Sequence, residues 1–345
     1  MGKSLAAIIR STHASSTAVP TERTRTHTAR TVERTHGLAI SRVALRQEAI
    51  CALEGSVRCR TAVISLIAAG LLGACASPGH ARPLPARRSN RPTPQPTRRS
   101  RWHLVFADTF NTPVSKGAFS DCKHRVDTPA AYCGGLPTAM AAKWWAYPAG
   151  WPDTATQRHY AVGGYYDPAT TLWISGGQLH IRMWRGATGP VHSATIVPKR
   201  LMGLRYGAYE ERWRVSHLAA GYKSAHLLSP TDNNRCPNCE VDFPEGEWTG
   251  GIYAYAHHIN AIGGEQDGFG TRATWGQWHT SRIKWSPGDL RFYLDGRLIG
   301  ESRTAVPDTP ADWDIQNESA LNGPPAAPNS WAQMDIADVR GWSWG

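Results

Sequence analysis

The sequence predicts an all-β fold, a sandwich of two antiparallel sheets built from residues 101–345. Three observations predict it. Short runs rich in Val, Ile, Trp and Tyr recur between clusters of Gly, Pro, Asn and Asp, which is how half-buried strands and their turns read. No segment of useful length shows capped helical periodicity. All 15 Trp lie beyond residue 100, which separates an aromatic-rich globular part from a Trp-free leader. Some 245 residues suit one two-sheet domain, at roughly the 200–250 residues such sandwiches reach.

In chain order, strands are expected at His103–Phe106, Leu172–Ile174, Gln178–Trp184, Tyr206–Val215, Gly251–Ala256, Thr280–Trp285 and Leu290–Leu294. The last two are split by Ser286-Pro-Gly-Asp289, a hairpin turn. Gln333–Arg340 reads as a closing strand.

Ahead of this domain the chain changes character. Residues 1–100 hold 16 Lys+Arg against 4 Asp+Glu, while residues 101–345 hold 22 against 23. The formal charge of +11 therefore belongs to the leader. A nucleic-acid partner is not expected, because the basic residues do not sit on a structured face. Arg outnumbers Lys 31 to 7, which suggests a GC-rich, actinobacterial-looking source.

Residues 1–56 show no sustained apolar periodicity and read as disordered, or as lying upstream of a true start at Val57. Residues 57–76 read as a signal peptide: Arg58 and Arg60 flank the apolar run Ala62–Ala74, too short for a membrane helix. The run ends Leu72-Gly73-Ala74-Cys75-Ala76, which reads either as a lipobox with Cys75 acylated or as an ordinary cleavage site after Ala76. Residues 77–100 are a Pro- and Arg-rich linker, extended and unable to build a core. The expected location is secreted or anchored to a bacterial cell envelope, with membrane contact only through a lipid anchor. In that compartment Cys122 with Cys133, and Cys236 with Cys239, read as local disulfides.

The chemistry concentrates in Glu240-Val241-Asp242-Phe243-Pro244-Glu245. On a strand, residues two apart share a face, so Glu240 and Asp242 point one way and Val241 and Phe243 the other. Glu245 has the wrong parity unless one residue is absorbed by a bulge, and Pro244 is where a bulge is expected. Three carboxylates then line one face. Like charges raise one another's proton affinity, a cost that glycosidases exploit: one carboxylate attacks the anomeric carbon while another holds the leaving group's proton.

These residues resemble the bulged E-x-D-x-x-E signature of glycoside hydrolase family 16, the laminarinase-like type. Other segments are similar to that family in order. They are Phe106-Ala-Asp108-Thr-Phe110, Tyr206-Gly-Ala-Tyr209-Glu210-Glu211-Arg212-Trp213, Trp278-His279-Thr280 through Lys284-Trp285-Ser-Pro, Phe292-Tyr293-Leu294-Asp295-Gly296, and Gln333–Arg340. The resemblance implies a β-jelly-roll (concanavalin-like) sandwich with a concave cleft, and a catalytic domain over residues 101–345. It implies retaining, endo-acting hydrolysis of β-glycosidic bonds in a polysaccharide, with β-1,3-glucan as default. Glu240 carries over as nucleophile, Asp242 as assistant and Glu245 as acid/base. The alternatives are a non-catalytic, lectin-like glycan binder and a transglycosylase on envelope glycan.

Where the family strand reads G-x-W-P-A-x-W, this chain has Gly221-Tyr222-Lys223-Ser224-Ala225-His226-Leu227. Lys223 and Leu227 replace both tryptophans, and Lys223 with His226 points toward an anionic or substituted glycan. Substrate contacts are expected from Trp248, His257, Trp144, Trp145 and His226. No cofactor is required; Asp335 matches a last-strand carboxylate that binds structural calcium in several family members. The protein is expected to be a monomer.

Overall fold

In the computed structural model, residues 101–122, 131–232, 239–258 and 265–345 are described. Residues 1–100, with the run read as a signal peptide and Cys75, and Cys236 lie outside them. Sixteen strands follow in order among the described residues: β1 (Trp102–Asp108), β2 (Trp144–Ala146), β3 (Gly164–Tyr166), β4 (Leu172–Ser175), β5 (Gln178–Arg185), β6 (Val191–Pro198), β7 (Gly207–His217), β8 (Tyr222–Pro230), β9 (Val241–Glu247), β10 (Tyr253–His257), β11 (Gln266–Gly270), β12 (His279–Ser286), β13 (Asp289–Leu294), β14 (Arg297–Ser302), β15 (Ala311–Ser319) and β16 (Trp331–Trp344). Helices are confined to short turns such as α1 (Thr138–Lys143), α2 (Thr154–Gln157) and α3 (Pro168–Thr171).

The strands form two antiparallel layers. One runs β11-β10-β9-β8-β15-β6, and the other runs β5-β16-β7-β12-β13-β14 with β1 on β16 and β4 on β5. Strand β6 belongs to both: Val191 and His192 pair with β5, and Ala194–Ile196 pair with β15. The turn read at Ser286–Asp289 does close a hairpin, with Ser286 facing Asp289 and Ile283 facing Phe292.

Period-2 alternation sorts side chains between the core and the outer faces. On β12 the burial alternates strictly, so Ser281, Ile283 and Trp285 go inward while Arg282 and Lys284 stay out. The core between the layers is aromatic: Trp213, Trp275, Trp285, Trp313, Phe243 and Phe292 are all fully buried. Each large apolar side chain so buried contributes on the order of 1.5–3 kcal/mol. Trp285 Nε1 donates to Pro307 O at 2.8 Å and Trp213 Nε1 to Ser281 Oγ at 3.1 Å. Cys122 and Cys133 form a disulfide with their Cα atoms 5.8 Å apart.

Candidate active site

The first layer turns its outer face into a cleft of about 430 Å³. The register of four strands says which residues reach it. Asp314 on β15, Leu227 on β8, Asp242 on β9 and Tyr255 on β10 lie in one row across the sheet. Gln316, Ala225, Glu245 and Tyr253 form the next row, and Glu318, Lys223 and Glu247 the one after.

The rows stay in phase only because β9 is bulged. Asp242 faces Leu227 and Glu245 faces Ala225, so two residues of β9, Phe243 and Pro244, stand opposite one of β8, His226. The shift recurs on the other side, where Glu245 faces Tyr253 and Asp242 faces Tyr255. The bulge is where Pro244 suggested, and the Phe243–Pro244 peptide is cis. It sends Phe243 into the core and brings Glu245 onto the face of Asp242. Just beyond, Gly246 takes φ 146°, and a Cβ there would stand 2.2 Å from Gly251 O. Only glycine fits between Glu245 and Glu247.

Glu240 stands at the start of this strand, its carbonyl accepting from His257 N at 3.0 Å. The side chains of Glu240, Asp242 and His257 converge, with one ligand-type atom of each within 4.8 Å of the others. His257 Nε2 lies 3.0 Å from Asp242 Oδ2 and 3.9 Å from Glu240 Oε1. Asp242 is almost fully buried. Burial, then the charges of Glu240 and Glu245, hold its carboxyl well above the ordinary range, with Lys223 opposing and a hydrogen bond to Glu240 adding to the rise. A proton held on Asp242 removes one of the like charges that crowd this face of β9. Glu240 is the most exposed of the three acids, its side chain 44% accessible.

Lys223 Nζ lies 3.1 Å from Glu245 Oε1 and 3.5 Å from Glu318 Oε1. Burial lowers this lysine's proton affinity, but Glu318 and Glu245 outweigh it and hold the group above its ordinary value. Its charge is thus matched from within the cleft. His226, the other residue read as favouring an anionic glycan, is fully buried on the opposite face, where Nδ1 meets Glu211 Oε1. That pair of residues supplies no free positive site for a polyanion.

Three further expectations of sugar contact are corrected by burial. Trp144 packs in the core against Phe106 and Phe110 and donates from Nε1 to Asp108 Oδ2 at 2.8 Å. Trp145 is fully buried behind Tyr147 and Trp151. Trp248 is turned inward, its Nε1 donating to Ser224 Oγ at 2.8 Å. Trp144 and Trp248 are on the core side, while Trp145, on the other face of β2, is covered by the aromatic cluster of Tyr147, Tyr166 and Trp151. His257 does line the cleft, as do Trp151, Tyr147, Tyr166 and Tyr255.

Strand β15 adds residues that the sequence reading passed over. Asp314, Gln316 and Glu318 line the cleft while Trp313, Ile315 and Asn317 face the core. The alternation in Asp312-Trp-Asp-Ile-Gln-Asn-Glu318 was the available signal. Asp314 is 2% exposed and its Oδ1 has no hydrogen-bond partner. Burial, then Asp312, holds its carboxyl well above the ordinary range, against a hydrogen bond from Tyr147.

Calcium does not fit at Asp335. Its Oδ1 meets His180 Nδ1 at 2.8 Å and accepts from Gln333 Nε2 at 2.8 Å, while Arg214 Nε lies 3.4 Å from Oδ2. Nitrogen donors and a guanidinium occupy the positions that oxygen ligands would need.

Several solved structures share this fold. The laminarinase from Rhodothermus marinus is 20% identical, with a TM-score of 0.52 over 71% of this chain and 98% of that one. The laminarinase catalytic domain from Thermotoga petrophila is 18% identical, with a TM-score of 0.51 over 70% and 98%. A Zobellia galactanivorans protein in complex with laminaritriose and laminaritetraose is 18% identical, with a TM-score of 0.52 over 70% and 99%. No curated protein matches the sequence. Residues 176–316 match the profile of Glycosyl hydrolases family 16. That span includes the bulged strand and both of its neighbours, and this part of the chain belongs to that family.

Proposed function

We propose that the protein is a retaining, endo-acting hydrolase of a β-linked polysaccharide, with β-1,3-glucan as the substrate. The observation that carries this is the bulge on β9, which sets Glu240, Asp242 and Glu245 on one cleft face. Glu240 attacks the anomeric carbon with its carboxylate, beside Asp242. Glu245 gives its proton to the departing glycosidic oxygen, and a glycosyl-enzyme ester forms on Glu240. Glu245, now a carboxylate, takes a proton from water, which opens the ester with net retention. His257 holds Asp242 from the far side. For Glu245 to deliver its proton, its contact with Lys223 must loosen, and Glu318 is placed to hold the ammonium meanwhile.

The substrate assignment draws on the acid-lined cleft, which favours a neutral glycan over a polyanion, and on the names of the structural neighbours. Trp151 and Tyr255, both part-exposed in the cleft, take over the stacking role of the tryptophans absent at 223 and 227. The apolar run at 62–74 makes export part of the proposal.

Proton NMR of laminarin cleavage tests it. The β-anomer appearing first and then mutarotating supports a double displacement. The α-anomer first rules it out, and tight binding without cleavage moves the assignment to a lectin.

A further inference from the structure

Away from the cleft, the outer face of the second layer carries a ladder of alternating rings and cations. Trp173 on β4 and Trp331 on β16 flank Arg182 on β5, whose guanidinium carbon lies 5.2 Å and 4.3 Å from the two ring centroids. Arg182 Nε and Nη2 both donate to Gln333 Oε1, at 3.0 and 2.8 Å. Lys116 Nζ stands 5.8 Å from the Trp173 centroid. Arg185 donates from Nε to Gly189 O and from Nη1 to Ala326 O.

Lys116, Arg182 and Arg185, with Trp184, Trp331 and Asn329, border an open groove of about 420 Å³. No carboxylate lines it. Among the described residues none of the three cations has a salt-bridge partner. The nearest acid in the network, Asp335, is already engaged by His180, Arg214 and Gln333. Elsewhere the domain is balanced, with 22 Lys+Arg against 23 Asp+Glu over residues 101–345. The groove is therefore a local island of uncompensated positive charge. Its Arg182 fork is held flat by rings on both sides, so little side-chain freedom remains to be lost on binding.

We propose that this groove is a second glycan-binding site, separate from the cleft, that takes an acidic polysaccharide. Carboxylates along the polymer pair with Arg182, Arg185 and Lys116, and sugar rings pack along Trp184 with Asn329 reaching their hydroxyls. A nucleic acid is the weaker fit, because three cations on a near-neutral domain do not make the extended positive field a phosphate backbone requires. The acid-lined cleft repels the same polymer, so the groove anchors the enzyme to an acidic matrix while the cleft works on a neutral chain. The anchoring role rests on the proposed hydrolase activity; the binding site does not.

Hydrogen-exchange footprinting of the full chain with polygalacturonate, with laminarin as the neutral control, tests the site. The expected result is protection of residues 178–186 and 327–333 by polygalacturonate alone. Arg182→Met/Arg185→Met should weaken binding at least tenfold and leave laminarin hydrolysis unchanged. Lys116→Ala, at an exposed position where folding is not at risk, should weaken it about threefold, on the order of one charge-assisted contact. Protection confined to residues 1–100 or to the cleft would overturn the proposal, as would unchanged affinity in both variants. Equal protection by single-stranded DNA would also overturn it, by marking the groove as a general polyanion surface. Failure of laminarin cleavage with the footprint intact would count against the activity and not the groove.

Discussion

Lys223 Nζ sits 3.1 Å from Glu245 Oε1, and the lysine is buried to 6% exposure. The ammonium also holds Glu318, itself 1% exposed. Removing one partner of a buried pair leaves the other uncompensated, which costs about 3–5 kcal/mol. Lys223→Met should therefore lower unfolding stability by about 3 kcal/mol at neutral pH, and adding Glu318→Gln should recover most of it. Burial already raises Glu318 against the pull of Lys223. A raised carboxyl stabilises below its unfolded pKa and loses that contribution as pH rises toward its folded pKa. The penalty of Lys223→Met should thus shrink as pH falls toward ~4, where an unfolded Glu takes up its proton. Denaturant melts of the single and double variants across that range check it; equal penalties at pH 4 and 7 would contradict the pairing.

The roles of Glu240 and Glu245 separate chemically. Glu240→Ala should cost at least ~10⁴-fold in kcat, the scale on which loss of a nucleophile is felt. Glu245→Ala should cost ~10²–10⁴-fold, the range for a general acid. Azide should then distinguish them. In Glu240→Ala it attacks the substrate directly and gives the inverted glycosyl azide. In Glu245→Ala it captures the glycosyl-enzyme and gives the retained one. Products of the same configuration from both variants would show that the assignment of the two acids is wrong.

Burial sorts the tryptophans into two behaviours. Trp151 lines the cleft, so Trp151→Ala should raise KM by about fivefold to tenfold, roughly 1–1.4 kcal/mol of lost stacking, with Tm nearly unchanged. Trp248 is in the core, bonded to Ser224, so Trp248→Phe should lower Tm by several degrees through the lost volume and the lost hydrogen bond while KM stays within twofold. Steady-state kinetics and thermal melts on both variants check it.

Asp335 offers a cheaper measurement. Its oxygens are held by His180, Gln333 and Arg214, and although burial works against it, the hydrogen bonds from His180 and Gln333 keep the carboxyl below its ordinary value. Tm should not move when EDTA is added. A fall of several degrees, restored by calcium, would show that these side chains rearrange around an ion.

The parts of this site that were legible in the sequence are those set by parity on a single strand. Alternation from Glu240 to Phe243, with a proline where parity broke, located the bulge and oriented three acids. The tryptophans and His226 were misplaced because their facing depends on register with other strands. His226 is opposite the bulge, between Ala225 and Leu227, and so points to Glu211 in the core. Trp144 and Trp145 are adjacent on β2 and both are buried, since that short strand is covered on each side, a circumstance no local pattern reveals. The groove around Arg182 joins Lys116, β5 and the start of β16, which only the folded sheet brings together.

Asp314 carries the sharpest pH signature. It is buried in the row of Leu227 and Asp242, with Oδ1 lacking a hydrogen-bond partner. Desolvation, and then Asp312, raise its carboxyl well above the ordinary range. The folded state therefore binds a proton that the unfolded chain releases near pH ~3.9. Its stabilising contribution is complete below that value and is lost as pH rises toward the folded pKa. Asp314→Asn has the same shape and no charge to desolvate. It should raise Tm by a few degrees at pH 7, about 1 kcal/mol in a domain of this size, and the gain should vanish by pH ~4. Thermal melts at the two pH values check it. A gain that persists at pH 4, or a loss at pH 7, would mean that Asp314 is ionised in the folded protein and held by contacts of another kind.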